Sequence, residues 1–194
     1  MLELEITDYC IDLARTMNIH FQIYLPPGVI EGHDRWEPLL IDKANIEADL
    51  YSKHTGIIPV VQDLKKAIAI PSLQGCVKAM FICEPELHDQ IRVKLSQRYG
   101  KQIYMSRTSH TFLEVMNDGV SKGEGLLTAL QHRGIDKSTV LALGDEENDL
   151  SMFEIAGFSA APSSGRENIK ATADFIFGAC AEEGLAAFLE EKFL

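Results

Sequence analysis

Residues 140–149, VLALGDEEND, constrain the fold more than any other stretch of this chain. Val140, Leu141, Ala142 and Leu143 form a continuous apolar run, the pattern of a strand inside a parallel sheet covered on both faces. Gly144 lets the backbone turn. Asp145, Glu146, Glu147 and Asp149 then place four acids within five residues, with Asn148 among them. Leu150, Met152, Phe153, Ile155 and Ala156 continue as a helix. A strand, a glycine and a helix in this order predict an α/β fold, and ligand sites in such sheets lie just past the carboxyl ends of the strands. Two readings of the acids stay open here. Acids favour the first turn of any helix through the macrodipole. Crowded carboxylates also repel one another unless a cation sits between them.

The flanking sequence supplies the rest of an α/β protein. Ile6, Cys10, Leu13 and Met17 recur at helical spacing, with Asn18 as the stop. Residues 20–25 read as a strand ended by Pro26-Pro27-Gly28, and 28–40 as irregular. The spacing predicts a helix over 42–54, with Ile46 and Leu50 on one face and Gly56 beyond its end. Residues 57–61 read as a short strand interrupted by Pro59, and 63–70 are ambiguous. A strand over 76–83, a helix over 84–99 with Leu87, Ile91 and Leu95 inward, and strands over 102–106 and 112–116 follow. Asn117-Asp118-Gly119 is a turn signal. Beyond it come a helix over 121–133, with Ser121 and Glu124 spaced as a capping box, and the strand at 140–143. The spacing then predicts helices over 148–156, 166–173 and 182–193 and strands over 158–161 and 174–177. That cadence implies parallel strands joined by right-handed crossovers. The division expected from sequence is an α/β unit over 1–111 and a second over 112–194.

Composition removes several classes of function. The net charge is −11, which argues against nucleic acid as a partner and against an anionic membrane surface. No apolar run approaches the roughly 20 residues that span a bilayer. MLELEITDYC lacks the basic and apolar segments of a signal peptide. Cys10, Cys76, Cys83 and Cys180 show no CxxC pairing and read as free thiols of a reducing cytoplasm. The six histidines are scattered, and none is singled out as a catalytic base.

Lys122 is the second informative residue. It falls in the first turn of its helix, where the macrodipole disfavours a cation. An exposed solubilising lysine is one account of it; an anion to meet is the other. Carboxylates past a strand end can hold Mg2+, which keeps waters and a substrate phosphate in its shell. A cation and a lysine together neutralise a transferring phosphoryl group.

The segments DGVSKGEGLLTAL, VLALGDEENDLSMFEIAG and ATADFIF through EEGLAAFLEE resemble the haloacid dehalogenase-like superfamily, and more narrowly its Cof-type phosphatases of subfamily IIB. The resemblance is strong over 112–194 and weaker over 1–111. It implies a Rossmann-like core, of which 112–194 is the C-terminal part, and an N-terminally incomplete α/β cap domain over 1–111. Lys122 matches the family's lysine in an S-K-G context. Gly144, Asp145, Asn148 and Asp149 match its G-D-x-x-N-D motif. By resemblance Asp145 binds Mg2+ directly, and Asp149 supports the metal site or anchors Lys122. Lys122 contacts the phosphoryl oxygens, and Asn148 positions the lysine or the phosphate. The substrate implied is a small phosphorylated metabolite such as a sugar phosphate. Arg35, Trp36 and Arg107 are weaker candidates for substrate contacts from the cap.

One departure stands beside the match. The family's D-x-D-G-T motif, which carries the nucleophilic Asp and the general acid/base, has no counterpart: no D-x-D occurs in the chain. Neither Asp8 nor Asp12 lies at a strand end. The expectation is a chain inactive by itself, with an open edge at the 140–143 strand that invites self-association or a complementing N-terminal chain. A non-catalytic phosphate- and cation-binding or regulatory remnant is the alternative.

Overall fold

The computed structural model describes residues 1–32 and 38–193. Two of the weaker candidates, Arg35 and Trp36, lie outside the described residues. The chain divides into two compact units, Met1–Asp118 and Gly119–Leu194.

The first unit contains α1 (Leu4–Met17), β1 (His20–Tyr24), β2 (Leu39–Ile41), α2 (Ile46–Thr55), β3 (Val60–Val61), α3 (Leu64–Ile68), β4 (Lys78–Ile82), α4 (Pro85–Tyr99), β5 (Ile103–Arg107) and β6 (Phe112–Asn117). Its strands form one sheet in the order β3-β2-β1-β4-β6-β5. All pairings are antiparallel except β2 with β3. Strand side chains alternate between faces, so Phe21, Ile23, Ala79, Phe81, Leu113 and Val115 share one side. There they pack with Ile6, Cys10 and Leu13 of α1 and with Ile91 and Leu95 of α4. The opposite face is mixed. Tyr24, Leu39, Met80 and Ile82 bury Tyr51 of α2. Fully buried Gln22 donates from Nε2 to the Tyr24 hydroxyl at 2.9 Å, and its Oε1 lies 3.1 Å from His20 Nε2. The Tyr24 hydroxyl in turn bonds that of Tyr51.

Local signals locate most of the boundaries. Asn18 adopts the left-handed conformation, φ 51°, and ends α1. The Asn45 side chain caps α2, and Asp63 caps α3, the segment ambiguous in sequence. Four expectations about the first unit differ. Residues 39–41 are a strand rather than irregular; three apolar residues are too few to show a period, and pairing to β1 and β3 decides them. Only Val60–Val61 of the 57–61 stretch is strand. The Ile46–Leu50 face of α2 points to solvent while Ala48 and Tyr51 are buried. The units divide at the Asn117-Asp118-Gly119 turn signal and not at 111, because β6 pairs with β4 and β5.

The second unit contains α5 (Lys122–Arg133), β7 (Leu141–Leu143), α6 (Leu150–Phe153), β8 (Phe158–Pro162), α7 (Glu167–Thr172), β9 (Phe175–Phe177) and α8 (Gly184–Phe193). The three strands are parallel in the order β7-β8-β9, the arrangement that the strand and helix cadence predicts. Ala142, Phe153, Ala161 and Ile169 pack on one face, and Ala160, Phe177 and Phe188 on the other. Among the described residues β7 pairs only with β8, so its second edge is open. The helix expected over 148–156 is shorter: a 3-10 turn at Glu147–Asp149 leads into the single turn of α6. Among the described residues, no helix is long and apolar enough to cross a membrane.

Candidate functional site

The turn after β7 is built around one buried carboxylate. Asp149 Oδ2 accepts the backbone N–H groups of Asp145 at 2.9 Å and Glu146 at 3.1 Å. These are the donors that a strand-to-helix turn leaves without partners. A Cβ on Gly144 would lie 2.3 Å from Asp149 Cβ and 2.8 Å from Oδ2. Glycine is therefore required at 144 by the close approach of this side chain, a reason that the sequence alone does not disclose.

The other oxygen of Asp149 faces Lys122. Nζ of Lys122 donates to Oδ1 at 2.5 Å, with the Asp149 side chain 5% exposed and that of Lys122 48% exposed. The helix that carries the lysine is docked by its next residue. Gly123 N donates to Ser151 Oγ at 3.0 Å, and a Cβ at 123 would lie 2.1 Å from Ser151 O. Ser121 caps α5 by accepting from Glu124 N at 3.1 Å. Cap, glycine and serine thus fix an unfavourably placed cation beside the one acid that compensates it.

The remaining acids divide clearly. Glu146 is held by Arg166 Nε. The Arg166 backbone N–H reaches Asp145 O at 3.4 Å, so the loop after β8 braces the acidic turn. Glu147 carries an interaction of its own. Asp145 is the exposed member, and its carboxylate has no hydrogen bond or ion pair among the described residues. Among the described residues, Asn148 Oδ1 is buried without a partner, an unusual state for an amide oxygen.

The four residues singled out in sequence, Lys122, Asp145, Asn148 and Asp149, therefore converge on one turn. Both Asp149 oxygens are already engaged, which suits the lysine anchor and leaves Asp145 as the carboxylate available to a cation. Oxygen-only donors with one free carboxylate fit Mg2+, which binds through one or two carboxylates with phosphate and water completing its shell. Among the described residues no group of three or more His, Cys, Asp or Glu converges as a metal cage. Sequence reasoning missed Arg166, Gly123 and Ser151. The S-K-G context holds a signal for Gly123, but nothing local marks Arg166 as the partner of an acid 20 residues earlier. Arg107 lies on β5 in the first unit. Asp8 and Asp12 sit on α1, where Lys65 Nζ meets them at 2.6 and 2.9 Å.

Comparison with known proteins gives one family. A family model described as haloacid dehalogenase-like hydrolase matches residues 1–189. The phosphatase YitU of Bacillus subtilis, which acts on 5-amino-6-(5-phospho-D-ribitylamino)uracil, is 25% identical over 194 residues, 99% of this chain and 67% of its own. A putative phosphatase of Haemophilus influenzae is 34% identical over 116 residues, 60% of this chain and 44% of its own. Among solved structures, a haloacid dehalogenase subclass IIB sugar phosphatase shares the fold with a TM-score of 0.77 and 17% identity, over 98% of this chain and 66% of its own. The chain spans less than half the length of several curated relatives that it matches, from 21% to 44%.

Proposed function

Because the chain belongs to the haloacid dehalogenase-like hydrolases, we propose that its second unit supplies the lysine and metal-side half of a Mg2+-dependent phosphomonoester hydrolase of the Cof-type IIB group. The observation that carries this reading is the turn itself. One buried carboxylate, Asp149, fixes Lys122 and the backbone around Asp145 together.

In this reading Asp145 is a direct ligand of Mg2+, and the ion supplies charge neutralisation at the phosphoryl group. Lys122 retains two N–H donors beyond its bond to Asp149 and offers them to phosphoryl oxygens. Preorganised donors of this kind stabilise charge that develops in the transition state. Asn148 brings an unpartnered amide oxygen to the same turn and positions the lysine or the phosphate. The first unit is the cap that contacts the substrate. A small phosphorylated metabolite, of the sugar phosphate type, is the substrate class. The names of the related phosphatases and of the solved sugar phosphatase support that choice. Free thiols at Cys10, Cys76, Cys83 and Cys180 suit a reducing cytoplasm.

The nucleophile is the part these residues do not provide, since the sequence holds no D-x-D. Attack on phosphorus is assigned to a carboxylate delivered on a strand that pairs with the open edge of β7. The decisive experiment is hydrolysis of a generic aryl phosphate with Mg2+. The chain alone turns over nothing, and adding an N-terminal segment bearing D-x-D-G-T restores activity that is lost again in Asp145→Asn. Failure of such complementation, together with saturable calorimetric binding of Mg2+ and sugar phosphate by the chain alone, favours a non-catalytic binding protein instead.

A further inference from the structure

Three of the four acids in the turn after β7 are already engaged. Asp149 holds Lys122 and two backbone N–H groups, Glu147 has an interaction of its own, and Glu146 accepts from Arg166 Nε. Arg166 arrives from the loop between β8 and α7, 20 residues later in the chain. Both side chains of this pair are largely buried, 26% and 25% exposed, so solvent screens it less than a surface ion pair. The arginine also stands on a fixed base. Ser163 N donates to Phe177 O at 2.7 Å, Gly165 N to Pro162 O at 2.8 Å and Lys170 Nζ to Ser163 O at 3.3 Å. Ile169, in the first turn of α7, is fully buried. Loop and turn meet through the backbone as well: Arg166 N reaches Asp145 O at 3.4 Å, and a Cβ on Gly165 would lie 3.7 Å from Asp145 Cα. Glu146 is therefore tied to an anchored loop rather than left to swing with the acidic turn.

What this tie does follows from the chemistry of the hard cations. Mg2+ binds through one or two carboxylates, keeps several waters and demands near-octahedral geometry. Ca2+ takes more oxygens in a looser shell, and its affinity rises with the number of carboxylates it can gather. Asp145 and Glu146 are consecutive residues, so a released Glu146 adds a second carboxylate next to Asp145, and that addition favours the larger ion. Arg166 withholds this carboxylate and neutralises its charge in one contact. Its planar guanidinium also fixes the acid's direction in a way that a flexible ammonium does not.

We propose that Arg166 is a positioning residue for cation selectivity: by holding Glu146 it keeps the turn a one-carboxylate site that favours Mg2+ over Ca2+. The proposal rests on the reading of Asp145 as the cation ligand and adds to it what decides the ion.

Competition for Mn2+ tests it on the whole chain without any turnover. Free Mn2+ is followed by electron paramagnetic resonance while Mg2+ or Ca2+ displaces the bound ion, and the ratio of the two displacement constants is compared among variants. Arg166→Met is expected to shift that ratio toward Ca2+ by about tenfold. The double variant E146Q/R166M, with no second carboxylate to release, returns the ratio to that of the unmodified chain. Glu146→Gln alone changes the affinity for both ions alike and leaves the ratio where it is; this variant keeps Arg166 and decides the matter even if R166M folds poorly. An arginine that only braces the fold gives R166M a lower melting temperature with the ratio unchanged, and that result overturns the proposal. A loss of Ca2+ binding in E146Q with Mg2+ binding intact overturns it too, since Glu146 is then a ligand already. If the unmodified chain binds no Mn2+, the cation reading of Asp145 fails together with the proposal. If it binds Mn2+ and Asp145→Asn abolishes that binding, the cation reading stands and an unchanged ratio in R166M sinks the selectivity proposal alone.

Discussion

Lys122 and Asp149, 27 residues apart in sequence, meet through a 2.5 Å Nζ to Oδ1 contact in which the acid is buried and the lysine half exposed. The contact is asymmetric. Asp149 also holds the N–H groups of Asp145 and Glu146, whereas among the described residues Lys122 holds only Asp149.

That asymmetry separates two substitutions. Asp149→Ala leaves two backbone donors and a cation without their acceptor, and a cost of about 3 kcal/mol follows from unsatisfied groups of this kind. Lys122→Ala leaves one buried carboxylate oxygen without its donor, costs about 1–3 kcal/mol, and also removes the cation assigned to the phosphoryl group. Urea denaturation of the two variants, compared with activity in the complemented enzyme, checks both statements.

Gly144 and Gly123 are sites where a methyl group has no room. Gly144→Ala sets a Cβ 2.3 Å from that of Asp149, and Gly123→Ala sets one 2.1 Å from the carbonyl oxygen of Ser151. Each variant is expected to lose about 1–3 kcal/mol through overpacking. Gly125→Ala, with nothing within 4 Å of the new Cβ, is neutral or slightly stabilising as a helix substitution. Thermal melts of the three variants make the comparison.

Stability falls on acidification, with a definite sign. Burial pushes the His20 and His88 imidazoles below the ordinary value of 6.5, and at His88 the nearby Arg107 and Arg92 add to the effect. A base with a lowered folded pKa contributes stability that is present above its unfolded pKa and is lost as pH falls through the folded one. Asp42 is also held below its usual 3.8 by Arg15, whose bidentate bonds and the Leu64 N–H outweigh the burial that opposes them, so its contribution too is lost in acid. Unfolding free energy should therefore decline from pH 7 toward pH 5, and His88→Gln should flatten that decline. A slope unchanged in H88Q refutes the assignment.

Thiol accessibility orders the four cysteines. Cys180 is exposed and should react first with an aromatic disulfide reagent. Cys83 is half-buried with its thiol pushed up to about 11 by burial and by Glu84, so its thiolate fraction at neutral pH is small and its reaction slow. Cys10 and Cys76 are buried, and burial raises both. They should react only on unfolding, and a count of fast thiols in native buffer against denaturant tests the order.

Much of the second unit was legible because its signals are local. The capping serine at 121, the apolar run of β7, Gly134 beyond α5 and the cadence of strands 7 to 9 lie within short windows where sterics and periodicity act. The first unit was harder. β2 is three residues long and exists only through its pairing to β1 and β3. His88, in a polar-looking stretch, is fully buried because α4 turns it toward Thr111 O, 3.2 Å from its Nε2. Ile46 and Leu50 keep helical spacing but face outward, because the sheet takes Tyr51 instead.

The sequence by itself determined which residues are available to the turn: a lysine at a helix start, and a glycine followed by acids and an asparagine at a strand end. Only the tertiary structure decided how they divide. Packing of α5 on α6 through Gly123 and Ser151 brings Lys122 to Asp149, and the loop after β8 gives Glu146 to Arg166. Among the described residues Asp145 is left as the acid of the turn whose carboxylate has no partner. Acids within five residues of one another look alike to any local rule. They differ because each partner arrives from a different part of the chain, and that arrival is set by the burial of apolar faces far from the turn.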